Sequence, residues 1–433
     1  MKIESIFAMA ESVAGSRSPA NEAPRKSIAR ALMLATVVVF AVGAAASAEA
    51  QTFTSLYSFK GAPDGTNPAG GLAIDAKGNL YGTTEFGGAG RCTAGGQGCG
   101  TAFKLSGEKE VWVYSFKGAP DGAGPFLTNL VMDGKGSMYG ATSYGGLSSA
   151  ECTAQGYVGC GTIFKISPTG REAVLYPFKG GNDGNGPDGG LILDSEGNLY
   201  GTTATGGGPA NCGTVFKVTL AGTESVLYRF CSKANGADGS GPVGQLARDR
   251  FGNLYGTTTL GGAYARGTVF KLAPNGEETV LYSFCALTDC TDGEVPYGGV
   301  VIDALGNLYG TTVDGGVLEN GTVFKITPSG QETVLHSFAG GLDGSVPEGG
   351  LVRDAVGILY GTTSLGGENF EGTVFSLDTG GTESVLYSFL GGYEPVGAVI
   401  IDATGNLYGT TYYGGTRTKC SAPGCGTVFK VKP

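Results

Sequence analysis

The sequence predicts an all-β chain: a single seven-bladed β-propeller with four antiparallel strands per blade, its ring closed by the N-terminal strand completing the last blade. Three observations predict it. The pentapeptide L-Y-G-T-T, or a close variant, recurs seven times, with its tyrosine at Tyr81, Tyr139, Tyr200, Tyr255, Tyr309, Tyr360 and Tyr408. Each unit of 48 to 61 residues holds four short runs rich in Val, Ile, Leu, Tyr, Phe and Thr, bounded by glycine and turn residues, as strands are. No stretch after residue 50 sustains a 3.6-residue period.

Every unit reads in the same order. L-Y-S-F comes first, then a loop carrying D-G and a proline, then G-G-L-x-x-D-x-x-G-N-L-Y-G-T-T, then G-G, then G-T-V-F-K. L-Y-S-F is predicted as an outermost strand; in one copy Val280, Tyr282 and Phe284 share a face and Leu281 takes the other. Glycine in G-G-L and Y-G-T-T suits inner strands, where converging blades leave no room for side chains. The repeat opens at Leu56-Tyr57-Ser58-Phe59 and ends at Gly426-Thr427-Val428-Phe429-Lys430. The first strand therefore completes the last blade, and the ring has no open edge. A linear solenoid would need polar caps at both ends, and none is visible.

Composition narrows the function. Glycine supplies 81 of 433 residues, yet hydrophobic residues reach 41%, with 20 Tyr and 21 Phe, ample for a core. Glycine is not at every third position, so collagen is excluded. Lys and Arg are sparse, which argues against nucleic-acid binding. One histidine nearly removes histidine-based metal sites and Ser-His-Asp catalysis. No phosphate loop, zinc cluster or nucleophile elbow stands out, so no cofactor, no metal and no catalytic residue is assigned.

Residues 1–50 read as a secretory signal. Arg25, Lys26 and Arg30 precede the apolar run Ala31 to Ala46, and Ala46-Ser47-Ala48 and Ala48-Glu49-Ala50 offer small-residue cleavage sites. The run is shorter than the roughly 20 residues a membrane span needs. Residues 51–433 then carry 23 basic and 34 acidic side chains. An exported monomer, periplasmic or extracellular, with no membrane span after signal removal, is expected.

Two sets of aspartates recur. Asp75, Asp133, Asp194, Asp249, Asp303, Asp354 and Asp402 begin the x-x-G-N turns, where a carboxylate caps backbone N–H groups. Calcium sites there would lack further oxygen ligands. Asp64, Asp121, Asp183, Asp238, Asp292 and Asp343 sit in the D-G-x-x-P loops and are expected near the central channel on one face. Turn formation is the plainer role for them, and contact with a cation or sugar hydroxyls is the functional one. His336 and Trp112 replace blade residues and read as packing. The ten cysteines read as disulfides: Cys92–Cys99, Cys152–Cys160, Cys285–Cys290 and Cys420–Cys425 as local pairs, and Cys212–Cys231 across the ends of one hairpin. Zinc is disfavoured because C-x₂-C never appears.

Loop lengths break the symmetry. Between G-G and G-T, units three to six have four or five residues, whereas units one, two and seven have eleven, fourteen and ten. In a closed ring those three are neighbours, so their loops are expected to form one wall. Longer loops after Phe230 and Phe284 would form a second wall across the ring, enclosing a groove.

Units such as Gly299 to Lys325 (GVVIDALGNLYGTTVDGGVLENGTVFK) resemble the GloVer tandem repeat of exported bacterial proteins. The D-x-x-G-N-L-Y core is also similar to NHL-type propellers and to the propeller lyase that inactivates virginiamycin B. The resemblance implies a propeller and export, with no established activity. Family members often carry a C-terminal sorting anchor; none follows the last repeat before Pro433. The functional expectation is an exported non-enzymatic binding or scaffold propeller for envelope glycan or protein, with the face bearing the D-G-x-x-P and G-G…G-T loops as ligand face. Phe86, Tyr144, Tyr157, Tyr264, Phe370 and Tyr412 are its aromatic candidates. The alternative is a lyase or hydrolase of the virginiamycin-lyase kind, working through a carboxylate base.

Overall fold

The computed structural model describes residues 51–92, 98–147, 152–154, 157–415, 420 and 423–433. They form seven four-stranded antiparallel sheets. Blade 1 runs from the centre outward through Ala73–Ile74, Leu80–Thr84, Thr101–Ser106 and Lys109–Ser115. Blades 2 to 6 repeat this order, their second strands being Met138–Thr142, Leu199–Thr203, Leu254–Thr258, Leu308–Thr312 and Leu359–Thr363. Blade 7 takes Ile400–Ile401, Leu407–Thr411 and Thr427–Lys432 from the C-terminus, and Thr52–Ser58 pairs with the last of these as its outermost strand.

The repeated letters have physical roles. The final Phe of L-Y-S-F leaves its own blade and packs edge-on against the Phe of G-T-V-F-K in the next. Phe59–Phe103, Phe116–Phe164, Phe178–Phe216 and Phe338–Phe375 have ring centroids 5.0–5.2 Å apart, a favourable geometry. The glycine of Y-G-T-T makes room for that second ring, because a Cβ on Gly82 would lie 2.6 Å from Phe103 Cζ. The last threonine of the same motif pairs with the threonine of G-T: Thr84–Thr101, Thr258–Thr268 and Thr411–Thr427 hydroxyls are 2.7–2.8 Å apart. The preceding threonine joins blades. Thr257, Thr311 and Thr362 donate to carbonyls of Gly298, Gly349 and Gly397 in the following blade, and Thr410 donates to Gly70 across the closure. The G-G backbones meet around the channel, where a Cβ on Gly244 would strike Gly298 and Gly299.

One detail differs from simple alternation. The outermost strands carry a bulge, with Val269 opposite Tyr282 but Phe270 opposite Val280, so Leu281 is an unpaired extra residue. Blades 2 to 7 place the bulge at this leucine, while blade 1 shifts it to Val111. A bulge adds local twist to the strand that carries it.

Candidate functional site

The turn aspartates behave as caps. Asp75 Oδ1 accepts from the N–H groups of Lys77 and Asn79, and its Oδ2 accepts from the Asn79 amide and the Tyr81 hydroxyl, all within 2.7–2.9 Å. Desolvation opposes the charge, but these hydrogen bonds hold the carboxyl below its ordinary range at Asp75, Asp133, Asp194, Asp249, Asp303 and Asp402. At Asp354 the Asn position is Ile358, whose N–H still donates at 2.8 Å.

The D-G-x-x-P aspartates are not at the channel, which corrects their expected position. Each is folded back onto the outermost strand that precedes it. Asp64, Asp121, Asp183, Asp238 and Asp292 accept from the hydroxyls of Tyr57, Tyr114, Tyr176, Tyr228 and Tyr282 at 2.7–3.0 Å. Asp343 meets the ring of His336 at 3.3 Å, so the lone histidine stands in for a tyrosine. Backbone N–H groups complete each cap, as from Lys60, Lys117, Lys179, Ser232, Ala286 and Ala339. The chain passes these residues before turning inward, so they lie between blades. Asp238 and Asp292 are fully buried. Replacing Asp292 by Ala is expected to lower the unfolding free energy by about 2–3 kcal/mol, read by chemical denaturation; an unchanged midpoint would remove the capping role.

A glutamate from the neighbouring outermost strand closes each of these interfaces. Glu110 and Glu172 lie 3.2 and 3.1 Å from the hydroxyls of Tyr57 and Tyr114. Burial, then the facing aspartate, pushes Glu110, Glu172, Glu224, Glu332 and Glu383 up to about 7. Glu278 is also raised by burial, though Lys233 Nζ sits 2.6 Å away and offsets it. At the blade 6–7 interface Phe53 stacks on Tyr387 at 4.0 Å. A feature so repeated belongs to the scaffold.

The residues that differ from unit to unit gather at the channel mouth. In every unit the residue after T-T donates its N–H to the carbonyl of the residue before the loop proline: Glu85 to Asn67, Ser143 to Gly124, Ala204 to Gly186, Thr259 to Gly241, Val313 to Val295, Ser364 to Val346 and Tyr412 to Glu394, at 2.8–3.1 Å. This bond holds both loops at one end of the ring. The side chains there form no repeat. Glu85 accepts from the Tyr412 hydroxyl at 2.6 Å, and Ser143 donates to Asp188. Tyr297 and Glu348, each following a loop proline, line the channel itself. Burial pushes Glu85 up to about 7; the Tyr412 hydrogen bond offsets this in part and the Asp188 charge adds to it. Burial also pushes Asp188 up to about 6 against the Ser143 hydrogen bond. Glu348 is raised by burial and by Glu394, and Tyr297 is pushed up to about 12 by burial and by the charges of Asp188 and Glu348.

Below the mouth the channel is bridged. Asn129 and Gln245 replace the second glycine of G-G. The Asn129 amide donates to Gln245 at 3.3 Å and accepts from Gly71 N–H at 2.6 Å, and Gln245 donates to the Leu191 carbonyl at 2.8 Å. The mouth is therefore a cup with a polar floor. Four carboxylates and the tyrosines Tyr144, Tyr297, Tyr412 and Tyr413 surround it, an arrangement that attracts positive charge and hydrogen-bond donors.

Sequence reasoning chose the face but not these residues. Of its aromatic candidates, Tyr144 and Tyr412 reach the mouth electrostatics, since Asp188 and Glu85 raise Tyr144 after burial and Tyr412 binds Glu85. Phe86 packs in the blade 1–2 core; Tyr264 and Phe370 are exposed; the side chains of Tyr157 and Trp112 lie outside the described residues. The aspartates that recur build the scaffold, whereas Glu85, Asp188, Glu348 and Glu394 stand where the repeat fails. Much of the three-loop wall (93–97, 148–151, 155–156, 416–419 and 421–422) lies outside the described residues. The longer loops after Phe230 and Phe284, expected as a second wall, each fold into a one-turn 3₁₀ segment, Ala234–Gly236 and Thr288–Cys290.

All five expected disulfides are formed: Cys92–Cys99, Cys152–Cys160, Cys212–Cys231, Cys285–Cys290 and Cys420–Cys425. They are the mark of a chain that folds outside a reducing cytoplasm. Among the described residues, the one group with metal-ligand spacing is Cys285, Cys290 and Glu294, whose sulfurs are joined to each other. No helix among the described residues is long and apolar enough to cross a membrane.

Comparison with known proteins agrees with this architecture. The structure is similar to virginiamycin B lyase from Staphylococcus aureus, with a TM-score of 0.57 and 14% identity over 88% of this chain and 99% of that one. It is also similar to the extracellular domain of a protein described as a one component system from B. thetaiotaomicron, with a TM-score of 0.53 and 12% identity over 87% of this chain and 39% of that one. At such identities the likeness is one of fold. No curated protein matches the sequence. Residues 146–364 match the Gloeobacter/Verrucomicrobia repeat, half of a chain whose seven units share one pattern, and the protein belongs to that repeat family.

Proposed function

We propose that the protein is an exported binding propeller, residues 1–50 being its signal peptide and residues 51–433 its functional domain, and that it holds an envelope glycan or protein at the acidic channel mouth. One observation carries the reading. Positions that build blades are filled alike in nearly every unit, while the mouth positions after T-T and around the loop proline are filled differently in each. A ring that needed only stability would have no use for Glu85, Asp188, Tyr297, Glu348 and Glu394 converging on one cup. No covalent step is needed for this role.

The test is ligand-dependent stabilisation. A ligand at 100 times its dissociation constant adds about 2.7 kcal/mol. Glu85→Gln and Asp188→Asn are expected to abolish that gain, read against each variant's own unliganded midpoint. Because burial pushes Glu85 up to about 7 and Asp188 up to about 6, the mouth gains charge as pH rises through that interval. Affinity for a cationic ligand should increase from pH 5 to pH 8, and the double variant should flatten the profile. A ligand that stabilises both variants as well as the parent would place its site elsewhere.

A second reading rests on Glu85, paired with Tyr412 as no other carboxylate among the described residues is, because burial pushes its carboxyl up to about 7 in spite of that hydrogen bond, the range a general base or acid requires. It supports a lyase or hydrolase. Turnover lost in Glu85→Gln, with ligand binding retained, would favour it over the binding role.

A further inference from the structure

The mouth does not stand alone on its face. The loops of blades 4 to 6 at the same end expose Leu260 (53%), Val317 (72%), Leu318 (56%), Leu342 (70%), Leu365 (44%) and Phe370 (71%). Leu260 and Leu365 directly follow the mouth residues Thr259 and Ser364, and bridge back to Ser240 and Ser345 beside the loop prolines. The rim therefore runs from the edge of the cup outward. Large apolar side chains gathered on one sector of a soluble protein mark an interaction surface.

Charge on this sector has one sign. Asp289, Asp314, Glu319 and Glu368 are exposed among the apolar residues. The bases in these loops are already committed, Lys233 to Glu278 at 2.6 Å and Arg266 to Glu294 at 3.0 Å. Carboxylates at the mouth extend the negative field inward. Sugars are held by hydroxyl hydrogen bonds and by aromatic stacking; of the six rim side chains only Phe370 is aromatic, and the five Leu and Val side chains provide neither. An apolar surface studded with acids matches a chain whose apolar side chains alternate with basic ones.

We propose that the face formed by the blade 4–6 rim and the channel mouth docks a polypeptide segment in which apolar residues alternate with Lys or Arg, the apolar residues lying on Leu260, Val317, Leu318 and Leu342 and a basic side chain entering the cup. This rests on the binding reading above and names its ligand class. The apolar anchors supply affinity, and the acidic groups set orientation and capture rate.

The experiment uses the purified protein and synthetic decapeptides: one alternating Leu and Lys, one alternating Leu and Gln, one alternating Leu and Glu, and a neutral oligosaccharide of matched mass. The Leu/Lys peptide is expected to bind, to weaken with salt, and to outbind the Leu/Gln and Leu/Glu peptides. Leu342→Ser alone, and Val317→Ser with Leu318→Ser, should each weaken it by about tenfold, as loss of one anchor does. Phe251→Ser with Leu305→Ser, on exposed turns at the other end of the ring, is the control and should change nothing. Loss of binding in Glu85→Gln and Asp188→Asn, with both rim variants unaffected, overturns this inference and leaves the mouth as the binding site. Binding of the oligosaccharide in place of the peptide does the same. Equal binding of all three peptides, or sensitivity to the control pair, overturns it as non-specific adhesion. Peptide and oligosaccharide binding that ignores both mouth and rim variants overturns the binding reading as well.

Discussion

The protein is expected to be more stable at pH 5 than at pH 8. Five outer-strand glutamates, Glu110, Glu172, Glu224, Glu332 and Glu383, are pushed up to about 7 by burial and facing aspartates, from an ordinary value of 4.5. The folded chain therefore keeps protons that the unfolded chain releases between those values. Their stabilising contribution is complete below pH 4.5 and is lost as pH rises through 7. The side chains are only partly buried, so solvent screening reduces each to about 1 kcal/mol. Summed over five interfaces this is roughly 5 kcal/mol, a fall in thermal midpoint of roughly 5 °C or more. The turn aspartates act in the opposite direction, because their depressed carboxyls lose stability as pH falls below their ordinary 3.8. The optimum should thus lie near pH 4–5. Glu332→Gln with Glu383→Gln should recover midpoint at pH 8 and add nothing at pH 4.5. A flat profile between pH 5 and pH 8 in the parent would show that the interblade pairs are solvated and ionised.

Removing residues 51–60 is expected to prevent cooperative folding. Those residues provide the outermost strand of blade 7, paired along Thr427–Lys432. They also carry Phe59, fully buried against Phe103 of blade 1, and Phe53, stacked on Tyr387 of blade 6. Their loss bares a strand edge and two aromatic surfaces at once. Phe59→Ala alone should cost about 3–5 kcal/mol. The truncated chain should show no sharp unfolding transition and should bind apolar dye, whereas a retained two-state transition would mean that six and three-quarter blades hold the ring. A synthetic peptide spanning residues 51–60 restoring the transition would locate the effect in this strand.

Much of the fold was legible because a propeller repeats one local solution. L-Y-S-F, Y-G-T-T and G-T-V-F-K each mark a strand whose partner is a few residues away, so alternation, turns and glycine placement are read directly from the chain. The closing strand followed from the phase of the repeat. The cysteine pairs were legible for the same reason, since each joins ends that a short loop or hairpin brings together. The leucine bulge was not, because a single extra residue leaves the apolar pattern unchanged.

The candidate site was only half legible. Its face followed from which loops share an end of the blade. Its residues did not, because Asp64 and Asp188 look alike in sequence. One occupies a position where its carboxylate folds back on Tyr57; the other lies five residues further along the same loop pattern, past the proline, at the mouth with Ser143. Glu85 and Tyr412 are separated by 327 positions and meet only because the first and last blades are neighbours in a closed ring.

By itself the sequence determined the number of blades, the order of strands within each, the closure and the disulfides, all of which depend on contacts that are local or repeated. Only the tertiary structure decided which carboxylates face one another across the channel, which are buried between blades, and which apolar loops share a rim with them. Those properties depend on distances between unlike units, and a repeat pattern carries no record of them.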